Sequence, residues 1–281
     1  MATLSRRSFI KSALAASTLP IMAQATSTKP SQVLRFIHVT DSHMDVSDGD
    51  SVEALELMVT HVNKNYKDLD FVLFGGDNFN NNAPENNDAL KFKEIIEKLH
   101  CSAYVIRGNK ESSPTNDARI DNKEFKSMFF DKKEFVISQN DWRFEKKGYL
   151  ILGLDSCIDG ANNGRYTSET LSFAETALQE GKPTLILNHH PYTNYWKGTE
   201  EKDIHKYVLN NSEQTQKMLF GHNNLLLTLS GHKHIDSVSK IGDVTAIVTR
   251  GFIRPLDLDQ YPMRYIELTD NVIHEKLIYT E

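Results

Sequence analysis

Seven residues of metal-ligand type stand in short polar turns scattered along the chain: Asp41, His43, Asp77, Asn109, His189, His232 and His234. Neutral imidazole is the commonest protein metal ligand, and carboxylates and amides are its usual companions. The densest turn is Leu229-Ser230-Gly231-His232-Lys233-His234. Gly231 lets the backbone turn sharply. Residues two apart in extended or tightly turned backbone point the same way, so His232 and His234 can converge on one point. Taken singly, each of the seven has an ordinary explanation, since an Asp after a strand usually caps a helix or a turn. Their joint occurrence at five separate places calls for another.

The elements that must position them follow from periodicity. Val33 to Thr40 is apolar and β-branched, as expected of a strand covered on both faces, and it runs into Asp41-Ser42-His43. Val52, Leu55, Val59, Val62 and Tyr66 recur at helical spacing, with Asp50 or Ser51 as the cap and Glu53 placed to complete a box from Asp50. Phe71 to Phe74 ends at Gly75-Gly76-Asp77, a helix runs from about Asp88 to Leu99, and Ala103 to Ile106 ends at Gly108-Asn109-Lys110-Glu111. A hairpin is expected from Trp142–Phe144 to Tyr149–Leu154, then a helix over Leu171–Leu178. The strand Thr184–Leu187 delivers Asn188-His189-His190-Pro191. A polar excursion from Tyr192 to Asn211 precedes a short helix, the buried strand Leu225–Leu229 and the histidine turn. Val244–Thr249, Met263–Leu268 and Val272–Tyr279 close the chain as strands. Strand, polar turn and helix thus alternate as in parallel α/β units. Each polar cluster sits past the carboxyl end of a strand, where α/β sheets bind ligands.

In the order Asp41-Ser42-His43, Gly76-Asp77, Gly108-Asn109-Lys110-Glu111, His189 and Gly231-His232-Lys233-His234, the chain resembles the calcineurin-like metallophosphoesterases over nearly all of 34–251. The resemblance implies a four-layer αββα sandwich, two mixed sheets face to face with helices outside. It also implies a dinuclear centre of Fe, Mn, Zn or Co. Asp41, His43 and His234 would hold one ion, Asn109, His189 and His232 the other, and Asp77 would bridge them. Two cations roughly 3.5–4 Å apart acidify a shared water and neutralise phosphate oxygens. The implied reaction is phosphoester hydrolysis by metal-bridging hydroxide. Asp77, Asn109 and Lys110 would sit at the reacting centre, with Asn109 and His190 toward the substrate, although His190 could equally pack behind the site. The family usually has His where Lys110 stands. Lysine there can donate a proton, stabilise developing negative charge, or turn to solvent. Each case favours substrates that need less help, phosphodiesters before phosphomonoesters. Loss of turnover, leaving a metal-binding protein, is the third alternative.

Around this set the claims are weaker. His38 lies within a strand and is expected to be a satisfied core group. Arg107 and Lys233 flank candidate ligands and could attract anions, but solvated surface charge is the plainer role. Tyr192, Tyr195 and Trp196 could stack on a base, cap the site, or pack. Asn78 and Asn80 follow Asp77 in an Asn-rich loop.

Ser5-Arg6-Arg7-Ser8-Phe9-Ile10-Lys11, the apolar Ser12–Met22 and Ala23-Gln24-Ala25 have the order of a twin-arginine export signal. Residues 26–281 would then form a single domain, exported to a bacterial periplasm by the twin-arginine machinery. The net charge is −6, and removing Arg6, Arg7 and Lys11 makes it three more negative. No nucleic-acid polymer is expected as a partner, and no apolar run reaches the 20 or so residues of a membrane span. Cys101 and Cys157, the two cysteines, could pair in an oxidising compartment or stay free.

Overall fold

Runs of apolar residues that end in Gly, Asp, Asn or His set the architecture, because each run is buried in a sheet and each polar turn emerges at its rim. The computed structural model describes residues 32–112, 120–253 and 261–280. The expected export signal lies outside the described residues. The first sheet has five strands in the order β12 (Val272–Tyr279), β11 (Pro262–Thr269), β1 (Leu34–Val39), β2 (Phe71–Phe74) and β3 (Ser102–Val105). The second has seven, in the order β4 (Val136–Ser138), β5 (Asp141–Lys146), β6 (Tyr149–Gly153), β7 (Thr184–Leu187), β8 (Leu225–Ser230), β10 (Val244–Val248) and β9 (Ser237–Ile241). Both sheets are mixed. β1, β2 and β3 run parallel, as do β6, β7, β8 and β10, while β11 and β12 in the first sheet and β4, β5 and β9 in the second pair antiparallel with their neighbours.

Alternation along β6 and β7 reveals the layers. Ile151, Leu185 and Leu187 join one core with Phe36, Leu73 and Trp142, so these faces of the two sheets pack together. Leu150, Leu152 and Ile186 point the other way, onto Leu171, Ala174 and Leu178 of α5 (Ser168–Leu178) and Leu219 of α7 (Ser212–Leu219). On the far side of the first sheet, Leu55, Met58 and Val62 of α1 (Gly49–Asn65) and Phe92 and Ile95 of α2 (Asn87–Ile96) complete the cover. Period-2 and period-3.6 burial on opposite faces thus gives helix, sheet, sheet, helix. The Trp142 indole N–H donates to the Val105 carbonyl at 3.0 Å, a polar link between the inner faces.

The expected strands fall where the sequence puts them to within a residue or two. The cap of α1 differs. The Asp48 carboxylate accepts the Asp50 N–H at 3.2 Å, the Ser51 hydroxyl turns back to the Asp45 and Asp48 carbonyls, and no box from Asp50 to Glu53 forms. Asp48 has the extended backbone a cap needs. The edge strands β4 and β9 and the one-turn helices α3 (Asn109–Ser112) and α6 (Ile204–Tyr207) are additions that the periodicity does not signal. α4 (Asn122–Phe129) starts on the Asp121 carboxylate, which accepts the Glu124 N–H at 2.7 Å. No helix among the described residues is long and apolar enough to cross a membrane. Cys101 and Cys157 are free thiols.

Candidate metal centre

Neighbouring strands β1, β2 and β3 deliver Asp41, Asp77 and Asn109 at their carboxyl ends, and β7 and β8 deliver His189 and the 232–234 turn from the facing sheet. Backbone bonds lock the two rims. Asp41 N–H donates to the Gly76 carbonyl at 3.0 Å, His43 N–H to Asp77 at 2.9 Å, and Gly231 N–H to His189 at 3.0 Å. Across the rim, His232 N–H donates to Asp41 Oδ2 at 2.9 Å. Gly231 is required there, since a Cβ would stand on the Asp41 carboxylate and the Thr40 hydroxyl.

Asp41, His43, Asp77, His232 and His234 all have left-handed backbone, with φ between 43° and 67°. That conformation costs a non-glycine residue roughly 1–2 kcal/mol. It collects where surrounding structure imposes it, typically at functional sites.

The side chains form two groups sharing Asp77. In the first, His234 Nε2 lies 3.1 Å from Asp41 Oδ1 and 3.2 Å from His43 Nε2, and His43 Nε2 lies 3.8 Å from Asp77 Oδ2. In the second, His189 Nε2 lies 3.1 Å from Asn109 Oδ1, 3.2 Å from His232 Nδ1 and 3.5 Å from Asp77 Oδ1. Tautomers follow from the outer partners, because a carbonyl oxygen can only accept. His189 Nδ1–H donates to the Gly75 carbonyl (2.9 Å), His232 Nε2–H to the Lys206 carbonyl (2.8 Å), and His43 Nδ1–H to the Asn80 amide oxygen (3.2 Å). The remaining ring nitrogens carry lone pairs, and all three face inward. Burial, helped by His189, lowers the His232 imidazole to about 4, so it is neutral near pH 7. Imidazole lone pairs, carboxylate oxygens and an amide oxygen that meet at 3.1–3.8 Å repel one another unless a cation lies among them. This donor set fits first-row divalent ions.

Several neighbours take roles that the sequence hides. The Glu111 carboxylate accepts the backbone N–H of Gly108 (2.6 Å), Asn78 (2.7 Å), Asp77 (3.1 Å) and Phe79 (3.3 Å), and so knits the β2 and β3 turns together. Burial and then the Asp77 charge raise its carboxyl to about 7. The Thr40 hydroxyl donates to Asp41 Oδ2 at 2.7 Å, and Asn80 orients His43. Asn78 instead ties to the Ile106 carbonyl and Glu111.

His190 is fully buried. Its Nε2–H donates to the Asn162 carbonyl at 3.1 Å and its Nδ1 accepts the Ser156 hydroxyl at 2.8 Å, while its ring lies 4.4 Å from that of His232. Lys110 sits in the first turn of α3. Its backbone N–H donates to Asp77 Oδ1 at 2.7 Å, and its half-buried side chain has no ion pair among the described residues. His38 bonds Thr249 through Nδ1 but leaves a buried Nε2 without a partner, and burial lowers its imidazole to about 3.

His38 is thus a core group as expected but only half satisfied, and two further expectations are corrected. Arg107 is not a solvated surface charge: it is buried, 2.5 Å from Asp155 and 3.1 Å from Asp159, bracing the loop that carries Asn109. Lys233 is buried as well. Its ammonium faces the rings of Tyr195, Trp196 and Tyr207. Tyr192 packs in the outer core, its hydroxyl on that of Tyr166.

Residues 34–236 match the calcineurin-like phosphoesterase family. The chain belongs to that family. As a calcineurin-like phosphoesterase it is a metal-dependent phosphoester hydrolase, and the family implies a dinuclear centre of divalent ions. Solved structures share the fold. A dimetal phosphatase from Danio rerio aligns at 13% identity and TM-score 0.65, over 88% of this chain and 99% of that one. A protein of Thermus thermophilus aligns at 17% and 0.53, over 87% and 99%. A purple acid phosphatase from yellow lupin (Lupinus luteus) seeds aligns at 13% and 0.56, over 89% of this chain and 52% of the other. No curated protein matches the chain in sequence.

Proposed function

We propose that the chain is a dinuclear phosphodiesterase whose ions are held by Asp41, His43 and His234 on one side and Asn109, His189 and His232 on the other, with Asp77 between them. The observation that carries this assignment is the inward convergence of lone pairs fixed by outward N–H bonds to Gly75, Asn80 and Lys206. When bound, the two cations supply an acidified water and neutralise the phosphate oxygens.

The protein's own groups do the remainder. Asp77 offers one oxygen to each group of imidazoles. Asn109, with its Oδ1 on the His189 side, keeps the amide nitrogen toward Asn162, 3.5 Å away, where a phosphoryl oxygen could compete for it. Lys110 follows Asn109 in the chain where the family has an imidazole. A side-chain ammonium that reached the phosphate would stabilise developing negative charge, and the lack of an imidazole at the leaving group favours esters whose leaving group departs unprotonated. His190 serves behind His232 instead of contacting substrate, since both of its ring nitrogens are engaged.

Paired assays test the preference: with Mn2+ loaded, bis(p-nitrophenyl) phosphate should be hydrolysed with a higher kcat/KM than p-nitrophenyl phosphate. Faster monoester cleavage overturns it. Stoichiometric metal without turnover of any phosphoester would favour instead the metal-binding alternative that Lys110 suggests.

We also infer that the chain is exported by the twin-arginine machinery, with residues 26–281 as the mature domain. The paired arginines Arg6 and Arg7 and the Ala23-Gln24-Ala25 site support this. N-terminal sequencing of periplasmic protein should begin at Thr26, and retention in the cytoplasm overturns export.

A further inference from the structure

Between β7 and α7 the chain leaves the sheet as a strap, residues 191–211, closed at its base where Leu209 N–H donates to the Pro191 carbonyl at 2.9 Å. The strap crosses the turn that carries His232 and His234, and one side chain of that turn fastens it. Lys233 Nζ lies 4.7 Å from the Tyr207 ring centroid, 5.2 Å from Trp196 and 5.9 Å from Tyr195. It also bonds the Thr199 hydroxyl and lies 3.5 Å from Asn194 Oδ1. Every one of those partners belongs to the strap. A second fastening runs the other way, from the Tyr195 hydroxyl to the Ile235 carbonyl at 2.7 Å.

Cations held over aromatic faces are strongest where water is excluded, and Lys233 is only 9% exposed. Trp196 and Tyr207, by contrast, are 45% and 36% exposed. Among the described residues no buried apolar cluster includes these two rings, and the lysine is the group that both of them face. The consequence falls on the next residue in each segment. Lys206, adjacent to Tyr207, places its carbonyl 2.8 Å from His232 Nε2, and the Tyr207 and His232 rings lie 6.0 Å apart.

We infer that Lys233 is a positioning residue for the metal centre: by clamping the strap it holds the Lys206 carbonyl on His232 Nε2–H and so commits Nδ1 of that imidazole to the cation site. This rests on the proposed role of His232 as a ligand. Partners that fix the tautomer and ring orientation of a ligating histidine are worth about 10–100-fold in metal affinity. Here the partner is a backbone carbonyl, so the device that secures it must act on the whole strap. Lys233 lies between two proposed ligands in sequence, yet it serves the centre from the opposite side.

The test is a titration of the metal-free protein with Mn2+ alone, resolving both sites. Lys233→Met should weaken one site by about 10–100-fold and leave the other at its wild-type affinity, with Lys233→Arg between the two. In a His232→Ala background, adding Lys233→Met should change nothing further, because the residue through which it acts is gone. Tyr207→Leu, at a half-exposed position, should reproduce the selective weakening if the lysine variant folds poorly. Nitrogen-15 spectra of metal-free wild type should show His232 protonated on Nε2, and Lys233→Met should mix the tautomers. Unchanged affinities in both single variants overturn the inference, as does equal weakening with and without His232. Retention of both tight sites by His232→Ala alone would overturn the ligand assignment itself, and the inference with it.

Discussion

Asp77 and His189 face each other acceptor to acceptor. Oδ1 and Nε2 lie 3.5 Å apart, with the imidazole proton held away on Nδ1 by the Gly75 carbonyl. Such a contact costs free energy in a buried site unless positive charge intervenes. Asp77→Asn removes the carboxylate charge from this pair while keeping the shape. Activity should fall by more than the roughly 10–100-fold that loss of an outer partner costs, and the metal-free variant should melt no lower than metal-free wild type. Calorimetry on both forms checks this. A metal-free melting point several degrees below wild type would mean that the carboxylate stabilises the fold without cations.

Metal removal should therefore loosen the whole rim. Five left-handed ligand residues and two clusters of acceptors are held together there, and binding to the folded state alone stabilises by RT ln(1 + [L]/Kd), about 2.7 kcal/mol at a hundredfold excess over Kd. Chelation should lower Tm by about 5–10 °C, reversed by added Mn2+. The drop should grow with the logarithm of metal concentration, and a Tm indifferent to chelator would contradict the site.

What the sequence makes legible follows from range. A strand covered on both faces must be apolar, so β1, β2, β7 and β8 stand out, and whatever polar group ends them is exposed to view. Edge strands such as β9, with Val238 47% exposed, bury too little to leave a pattern. The charges at 107 and 233 look solvent-facing because a lone Arg or Lys usually is, and nothing local announces Asp155, 48 residues on, or the aromatic strap. Backbone acceptors are hidden altogether: the carbonyls of Gly75 and Lys206 set two tautomers, yet any residue type could supply them. The left-handed turns are equally silent, since Asp and His, unlike glycine, do not advertise them.

Glu111 offers a test of the scaffold apart from the ligands. Its carboxylate collects four backbone N–H groups from the β2 and β3 turns. Glu111→Gln turns one acceptor into a donor that faces those N–H groups. Leaving buried N–H groups without an acceptor costs about 1–3 kcal/mol, so chemical denaturation at pH 5, below the carboxyl's value of about 7, should show a loss of about 2–3 kcal/mol, accompanied by weaker metal binding. A stability within about 0.5 kcal/mol of wild type would mean that the turns hold without it.

Lys110 separates the substrate readings. General acid catalysis is worth about 10²–10⁴-fold when the leaving group needs a proton. Lys110→His should thus raise kcat on alkyl phosphomonoesters by at least tenfold, and change p-nitrophenyl diester turnover little. Lys110→Met should slow both classes if the ammonium stabilises charge in the transition state. Identical kinetics for Met and Lys on every ester would place the side chain in solvent, away from the reaction.

Asp141 gives the molecule a pH dependence that is independent of the metals. It starts β5, is buried, accepts the Asp155 N–H at 2.7 Å through Oδ1, and leaves Oδ2 without a partner. Burial, and the charge of Asp155 after it, raise its carboxyl to about 7 from an ordinary 3.8. A raised folded-state value means that the folded protein holds a proton which the unfolded chain has released. The stability this provides is fully present below about pH 4 and is lost as pH rises toward 7. Asp141→Asn keeps the acceptor for Asp155 and cannot ionise. Relative to wild type, the variant should gain about 4 kcal/mol between pH 4 and pH 8, read as converging and then crossing denaturation midpoints. Parallel curves across that range would show that Asp141 ionises in the folded protein as it does in the unfolded chain.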